Sequence, residues 1–93
     1  MIIVSQDRET VVNFENIIRI KVCKYNGENY IQCDFPYGTY EDLGTYKTKE
    51  RAKEVLQEIK DRYLTYAALS NQSNSKDIKQ VSDIPKHYEM PEE

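Results

Sequence analysis

Hydrophobic and polar positions alternate along the first half of the chain with the period of β-strands. Residues 1–5 and 10–14 are short apolar runs on either side of a polar turn, a pattern typical of a hairpin. A second hairpin is predicted where two alternating runs flank Asn26 and Gly27, because both central residues of a type I′ turn need positive φ angles. The first half is therefore expected to form consecutive antiparallel strands.

The register of the second hairpin follows from the chemistry of its cross-strand pairs. A two-residue loop at Asn26 and Gly27 predicts apolar pairs on one face: Ile18 with Phe35, Ile20 with Cys33 and Val22 with Ile31. The opposite face then pairs Arg19 with Asp34, Lys21 with Gln32 and Cys23 with Tyr30. Because this register sends Cys23 and Cys33 to opposite faces, no disulfide can join them, and both are predicted to be free thiols.

The period of the apolar positions changes to that of a helix after residue 48. Residues 39–46 are predicted to form a further strand, with Leu43 facing the core. Thr48 is a suitable N-cap for a helix over residues 49–69, whose apolar stripe comprises Ala52, Val55, Leu56, Ile59 and Tyr63. We expect this stripe to pack on the face of the sheet that carries Ile20 and Ile31.

The end of the chain divides into a polar segment and a short tail. Residues 70–83 begin with a run of Ser, Asn and Gln and are predicted to be a flexible linker. Residues 84–93 carry prolines towards both ends and are predicted to return as an edge strand of the domain formed by residues 1–69. The predicted fold is α+β: an antiparallel sheet of five or six short strands, packed on one long helix, with a C-terminal edge strand.

Length and charge narrow the classes of protein that this sequence could be. A chain of 93 residues forms one domain, which is too small for both a sizeable core and a deep enclosed site. The net charge of -3 weighs against general nucleic-acid binding. No apolar stretch approaches the length of a membrane span, and the apolar start of the chain is too short for a signal peptide. We therefore expect a cytoplasmic protein with a shallow or shared site.

Few side chains in the sequence are suited to catalysis or to metal binding. His87 is the only histidine, so any Ser-His or Cys-His pair would have to use it. Together with the two cysteines it provides fewer ligands than a structural zinc site needs. The three glycines form no phosphate-binding loop. The sequence therefore predicts a protein that is not an enzyme and that holds no cofactor or metal.

Tyrosine is the one residue type in clear excess, with eight copies against two phenylalanines and no tryptophan. Tyrosine is enriched at interfaces because its ring gives rigid apolar area and its hydroxyl a polar tip. The face of the sheet away from the helix is predicted to carry the candidate binding residues Arg19, Lys21, Tyr30, Gln32, Tyr40 and Tyr46. A binding face and a merely solvated face, on which tyrosine serves β-propensity, both remain open at this point.

The C-terminal half of the predicted helix carries more apolar surface than its core stripe uses. Tyr63 and Tyr66 lie there, followed by Ala67, Ala68 and Leu69. Apolar surface of this kind often packs against another subunit. The sequence therefore leaves two predictions open for this surface, which are packing against the C-terminal strand and self-association through Tyr63 and Tyr66.

Three segments of the chain resemble a family of small proteins encoded by phages and prophages of Gram-positive bacteria. They are the opening MIIVSQDRETVVNFENI, the central GTYKTKERAKEVLQEI and the closing YEMPEE. The resemblance implies a sheet of short strands, one helix and a short tail, and its motifs are structural and carry no catalytic role. The architecture is more distantly similar to that of phage anti-Thoeris proteins, which sequester cyclic nucleotide signals at subunit interfaces.

The residues and the resemblance together lead to two hypotheses. In the first, a non-catalytic phage or prophage accessory protein binds and neutralises a host component, either a defence protein or a nucleotide signal. In the second, the chain is a structural or assembly module that forms a homo-oligomer and takes no small ligand. Both hypotheses place the functional site on a flat face or at a shared interface.

Overall fold

The apolar runs at the two ends of the chain come together in one small sheet. In the computed structural model, which describes residues 1–72 and 87–93, β1 (Ile2–Val4) pairs antiparallel with β2 (Val11–Asn13). The last strand, which we call β6 (His87–Glu89), pairs parallel with the other edge of β1. The strand order is therefore β2-β1-β6, and the expected C-terminal edge strand is present in this sheet.

The predicted second hairpin and the strand after it form a separate sheet. It contains β3 (Arg19–Tyr25), β4 (Glu28–Asp34) and β5 (Tyr40–Tyr46) in the order β3-β4-β5, and every neighbouring pair is antiparallel. Asn26 and Gly27 have φ angles of 53° and 78°, as a type I′ turn requires. Val22 lies opposite Ile31, and Arg19 lies opposite Asp34. The predicted register is confirmed from the pair of Arg19 with Asp34 up to the turn, whereas the predicted pair of Ile18 with Phe35 does not form.

The prediction of one sheet with five or six strands is wrong, because the strands form two sheets of three. A 3₁₀ turn (Phe14–Asn16) directly follows β2 and redirects the chain before β3 begins. The side chain of Asn13 stabilises this turn, since its Oδ1 accepts a hydrogen bond from the main-chain N–H of Glu15 at 3.1 Å. As a result, within residues 1–72 and 87–93, β2 pairs with β1 alone and β3 pairs with β4 alone.

The long helix packs on the sheet that contains β3, β4 and β5. This helix, α1 (Lys49–Gln72), begins at the predicted cap, where Thr48 Oγ1 accepts a hydrogen bond from the N–H of Arg51 at 3.0 Å. The apolar stripe faces the core, and Ala52, Val55 and Ile59 are fully buried. Residues 70–72 of the predicted linker belong to this helix, and the rest of it, residues 73–83, lies outside the described residues.

Ile18 does not face the core as predicted and is 66% exposed. Its main-chain N–H donates to the carbonyl oxygen of Asp34 at 2.9 Å, although the Cα partner of Asp34 is Arg19. The pairing is therefore displaced by one residue where β3 begins, which is the arrangement of a β-bulge. Ile17 takes the place expected for Ile18 and packs against the core.

One hydrophobic core lies between the helix and the two sheets. Its fully buried side chains come from β1, β4, β5, α1 and the segment after β6: Ile3, Ile31, Leu43, Ile59 and Met90. Because the core draws on both ends of the sequence, the two sheets and the helix form a single hydrophobic unit. The only helix of eight or more residues in the described ranges, α1, is not apolar enough to cross a membrane.

The side chain of Gln6 joins the two sheets. It lies in the turn between β1 and β2, and its main-chain N–H donates to the carbonyl oxygen of Leu43 in β5 at 2.8 Å. Its Oε1 accepts from the N–H of Thr45 at 2.9 Å, and its Nε2 lies within 3.2 Å of the carbonyl oxygens of Thr45, Pro91 and Glu92. Gln6 therefore holds together β5, the first hairpin and the C-terminal tail.

Candidate functional site

Three strands bring most of the predicted binding residues to one surface. The face of the β3-β4-β5 sheet away from α1 carries Arg19 and Lys21 from β3, Tyr30 and Gln32 from β4, and Tyr40 from β5. They share this face because successive side chains of a strand point to opposite sides of a sheet. Tyr25 and Asp42 lie on the same face, and we call this surface the tyrosine face.

A shallow depression of about 510 Å³ lies on the tyrosine face. It is lined by Cys23, Lys24, Tyr25, Tyr30, Gln32, Tyr40 and Asp42. Tyr25 and Tyr40 are 67% and 60% exposed, so both rings offer free apolar area at its rim. Tyr25 is absent from the residues predicted as candidates, although it lies two positions after Cys23 and the alternation of β3 places it on this face.

The two cations predicted to bind a ligand are occupied by a carboxylate of the same face. Arg19 Nε donates to Asp34 Oδ2 at 2.7 Å, and Lys21 Nζ lies 3.4 Å from the same oxygen. The hydrogen bond from Arg19 and the charge of Lys21 hold the pKa of Asp34 below its usual value. Neither cation lines the depression, so an incoming anion would have to compete with Asp34 for them.

The polar groups in the depression are paired with each other or with neighbours. Tyr30 Oη donates to Glu28 Oε2 at 2.6 Å, and this hydrogen bond raises the pKa of the phenol, which stays neutral around pH 7. Gln32 Nε2 donates to Asp42 Oδ1 at 2.9 Å. Asp42 contributes a carboxylate to the lining, whereas the alternation of β3 directs the side chain of Lys24 to the other side of the strand. The depression is therefore aromatic and polar and holds no free cationic group from the described residues.

Tyr46 does not lie on the tyrosine face, and its predicted place there is wrong. In the β4-β5 pairing Ile31 lies opposite Gly44 while Gln32 lies opposite Asp42, so Leu43 is an extra residue at a β-bulge. Because of the bulge, the residues that follow it lie on the opposite face of the sheet from the one that simple alternation predicts. Tyr46 is therefore buried and only 4% exposed. Burial raises the pKa of Tyr46 to about 12. Gly44, an isolated glycine within the strand, is the sequence signal for this bulge.

The two tyrosines predicted to mediate self-association are partly buried within the chain. The ring of Tyr63 stacks on Phe14 with a centroid distance of 4.3 Å and an interplanar angle of 26°. Tyr66 lies against Tyr63 at 6.1 Å, and both pack against the core. One face of Tyr63 is therefore used by an intramolecular contact. Self-association through Tyr63 and Tyr66 stays a prediction.

The remaining reactive side chains are dispersed over the molecule. His87 is exposed on β6, whereas Cys33 is buried in the core, where burial raises its pKa to about 11. Cys23 and Cys33 are free thiols on opposite faces of the hairpin, as predicted. Within residues 1–72 and 87–93 no three metal-ligating side chains lie close enough together to hold an ion.

Comparison with known proteins gives no relative from which a role could be transferred to this geometry. No family model, no curated protein and no solved structure matches the chain. The function is therefore argued from the tyrosine face itself.

Proposed function

We propose that this chain is a non-catalytic accessory protein of the phage or prophage type, which acts in the host cytoplasm. It binds a host protein and neutralises it by covering part of its surface with the tyrosine face. The observation that carries the proposal is the arrangement of Tyr25, Tyr30 and Tyr40 around one depression on a rigid sheet. Tyrosines in such clusters are frequent hot spots of protein interfaces.

The charges of the tyrosine face favour a protein surface over a strongly charged ligand. Arg19 and Lys21 share the carboxylate of Asp34, which offsets one of their two charges, and the depression itself is lined by the carboxylate of Asp42. A multiply charged anion would therefore meet no free cationic cluster in the depression. A protein partner needs aromatic contact area with scattered hydrogen-bonding groups, which the tyrosine face provides.

A site-specific photo-cross-linker tests this proposal in the cytosol of a Gram-positive host. We expect p-benzoylphenylalanine in place of Tyr40 to yield one discrete cross-linked host protein on irradiation, because residue 40 lies at the rim of the depression. The matched control carries the same group in place of Tyr37, which is 94% exposed in the turn before β5 and does not line the depression. The cross-linked protein should be identified by mass spectrometry.

If the partner binds through the tyrosine face, the cross-linker at position 40 should give more cross-linked product than the cross-linker at position 37. The partner cross-linked from position 40 should disappear when Tyr25 is also changed to Ala, since both rings line the same depression. Equal cross-linking from positions 37 and 40, or a product that persists after Tyr25→Ala, would contradict the proposal.

The size of the depression supports a nucleotide signal as a second candidate ligand. Its volume of about 510 Å³ falls within the range of small-molecule sites, and its three tyrosine rings could stack on a base. In that case a panel of cyclic nucleotides should contain one that raises the melting temperature of the native chain but not of the Tyr25→Ala/Tyr40→Ala variant. The absence of a shift across the panel would remove this candidate.

A further inference from the structure

The outer edge of β3 carries no partner strand within the part of the chain that the structure describes. β3 is the first strand in the order β3-β4-β5, whereas the opposite edge of the sheet, at β5, is contacted by Gln6. Ile20 and Val22 of β3 are only partly buried, although Ile31 and Cys33 on the neighbouring strand are fully buried. An exposed edge of seven residues is a template for pairing with another strand.

The hydrogen-bonding groups of β3 alternate between its two edges. Tyr25 and Glu28 flank the two-residue loop, so they form the hydrogen-bonded pair that closes the hairpin. Every second residue back from Tyr25 then directs its main-chain N–H and C=O groups towards β4. The groups of Ile20, Val22 and Lys24 point to the free edge, and Val22 is at their centre.

We propose that β3 pairs antiparallel with β3 of a second copy of this chain, about a two-fold axis at Val22. In this register Val22 faces Val22 of the second copy, and Ile20 faces Lys24. The main-chain N–H and C=O groups of Ile20, Val22 and Lys24 that point to the free edge all form hydrogen bonds in this register. This is possible because Ile20 and Lys24 each lie two positions from Val22, where the two-fold axis passes. A shift by two residues in either direction leaves one member of the set on each chain without a partner.

The side chains on the tyrosine face fit the same register. Arg19 lies opposite Tyr25 of the second copy, and Lys21 lies opposite Cys23, so no like charges face each other directly. One register shifted by two residues pairs Ile20 with Val22. It would place Lys21 directly opposite Lys21 of the second copy, so that like charges face each other. Charge therefore favours the arrangement centred on Val22 over this shifted register.

An apolar groove on the helix side of β3 provides a second contact between the copies. It has a volume of about 270 Å³ and lies between β3, the 3₁₀ turn and α1, with Ile20, Tyr63 and Leu64 among its lining residues. Leu64 is 55% exposed. A two-fold axis perpendicular to the sheet places both helices on the same side and sets Lys24 of the second copy beside Ile20 at the groove. The second copy then covers part of the apolar surface of each groove, with the aliphatic stem of Lys24 next to Ile20.

This pairing does not require the proposed host partner, because it uses the edge of the sheet and leaves the rings of Tyr30 and Tyr40 free, although Tyr25 lies at both surfaces. The product is a continuous six-stranded sheet made of two three-stranded sheets. Its outer surface joins two tyrosine faces, with Arg19 of each copy beside Tyr25 of the other. The second copy therefore extends the surface on which a partner can bind.

Charge substitutions at Val22 test the two-fold axis directly. Val22→Lys and Val22→Glu each place like charges opposite each other across the axis, so each variant alone should be monomeric by light scattering while the native chain is a dimer. An equimolar mixture of the two variants should recover the dimer mass, because lysine then faces glutamate. Circular dichroism establishes that each variant is folded. A monomeric native chain, or folded variants that remain dimers on their own, would overturn the proposal.

A disulfide cross-link tests the register without changing Val22. Lys21 and Cys23 of the second copy form a non-hydrogen-bonded pair with Cα atoms about 4.5 Å apart, which lies within the range that a disulfide can span. Lys21→Cys should therefore give a reducible covalent dimer on mild oxidation. Lys24→Cys is the control, since residue 24 faces the opposite side of the strand from Cys23. Equal cross-linking of both variants, or none for Lys21→Cys, would rule out this register.

Discussion

Gln6 shows how much of this structure depends on a single polar side chain. Its amide binds main-chain groups of β5 and of the C-terminal tail, which no strand pairing among the described residues connects. The close approach needs Gly44, because a Cβ atom at that position would lie 3.2 Å from Cβ of Gln6 and 3.2 Å from the hydroxyl of Tyr46. The hydroxyl of Tyr46 in turn donates to the carbonyl oxygen of Pro91 at 2.8 Å.

We expect Gln6→Ala to lower the free energy of unfolding by about 1 to 2 kcal/mol, because it leaves several main-chain groups without their partners. Urea denaturation followed by circular dichroism measures the change. Gln57→Ala is the matched control, since the amide of Gln57 makes one exposed hydrogen bond to Asp61 along the helix and its removal should change stability by less than about 0.5 kcal/mol. Equal effects of the two substitutions would contradict the role given to Gln6.

At the residue scale, alternation along a strand predicts on which face of the sheet each side chain lies. The prediction fails where the strand contains an extra residue. The pairs from Arg19 with Asp34 to Val22 with Ile31 follow from alternation and charge, and the structure confirms them. Alternation predicts the wrong face for Ile18 and for Tyr46, because Ile18 lies beside a displaced pairing and Tyr46 lies beyond one. Gly44 is a local signal for the bulge in β5, but the contact of Gln6 with Leu43 at this bulge is long-range and lies outside the pattern of the strand.

At the scale of elements, β6 and the segment after it are part of the core. Met90 is fully buried, and its N–H donates to the carbonyl oxygen of Val4 at 3.0 Å. The hydroxyl of Tyr88 donates to Glu58 of α1 at 2.7 Å, and the guanidinium of Arg62 lies 5.6 Å from the centre of the same ring. The tail is therefore anchored to both β1 and α1.

Met90→Ala should lower the free energy of unfolding by about 2 to 5 kcal/mol, because it opens a cavity among fully buried side chains. Glu89→Ala, one residue earlier on the exposed side of β6, should change it by less than about 0.5 kcal/mol. Both variants are compared by urea denaturation at the same pH. A loss below about 1 kcal/mol for Met90→Ala would show that the tail contributes little to the core.

The positions of the strands and of the helix are largely predictable from the sequence, whereas the pairing of the strands into sheets is not. The Asn26-Gly27 turn, the Thr48 cap and the stripe of α1 are local signals, and the structure confirms all of them. The pairing of β1 with β6 connects the two ends of the chain and depends on which apolar faces remain uncovered after the helix has packed. Which strands pair therefore depends on tertiary contacts across the whole molecule. Local patterns do not contain these contacts, so they predict one sheet where the structure has two.

At the scale of the whole molecule, the hydrophobic core and the proposed binding surface lie on opposite sides of the β3-β4-β5 sheet. One face of the β3-β4-β5 sheet is committed to α1, and the first hairpin and the tail complete the same core. The opposite face retains exposed tyrosines that the core does not need, around a depression of about 510 Å³. Substitutions on this face should therefore alter binding while the stability of the fold is largely retained.

The most direct test of this account is the dissociation constant for the cross-linked host partner, measured by titration calorimetry with purified proteins. The Tyr25→Ala/Tyr40→Ala variant should bind about 30-fold more weakly than the native chain, which corresponds to the loss of about 2 kcal/mol at an aromatic hot spot. Tyr37→Ala, which removes a tyrosine that is 94% exposed outside the depression, should bind with unchanged affinity. Equal affinities of the double variant and the native chain would show that the tyrosine face is not the binding surface.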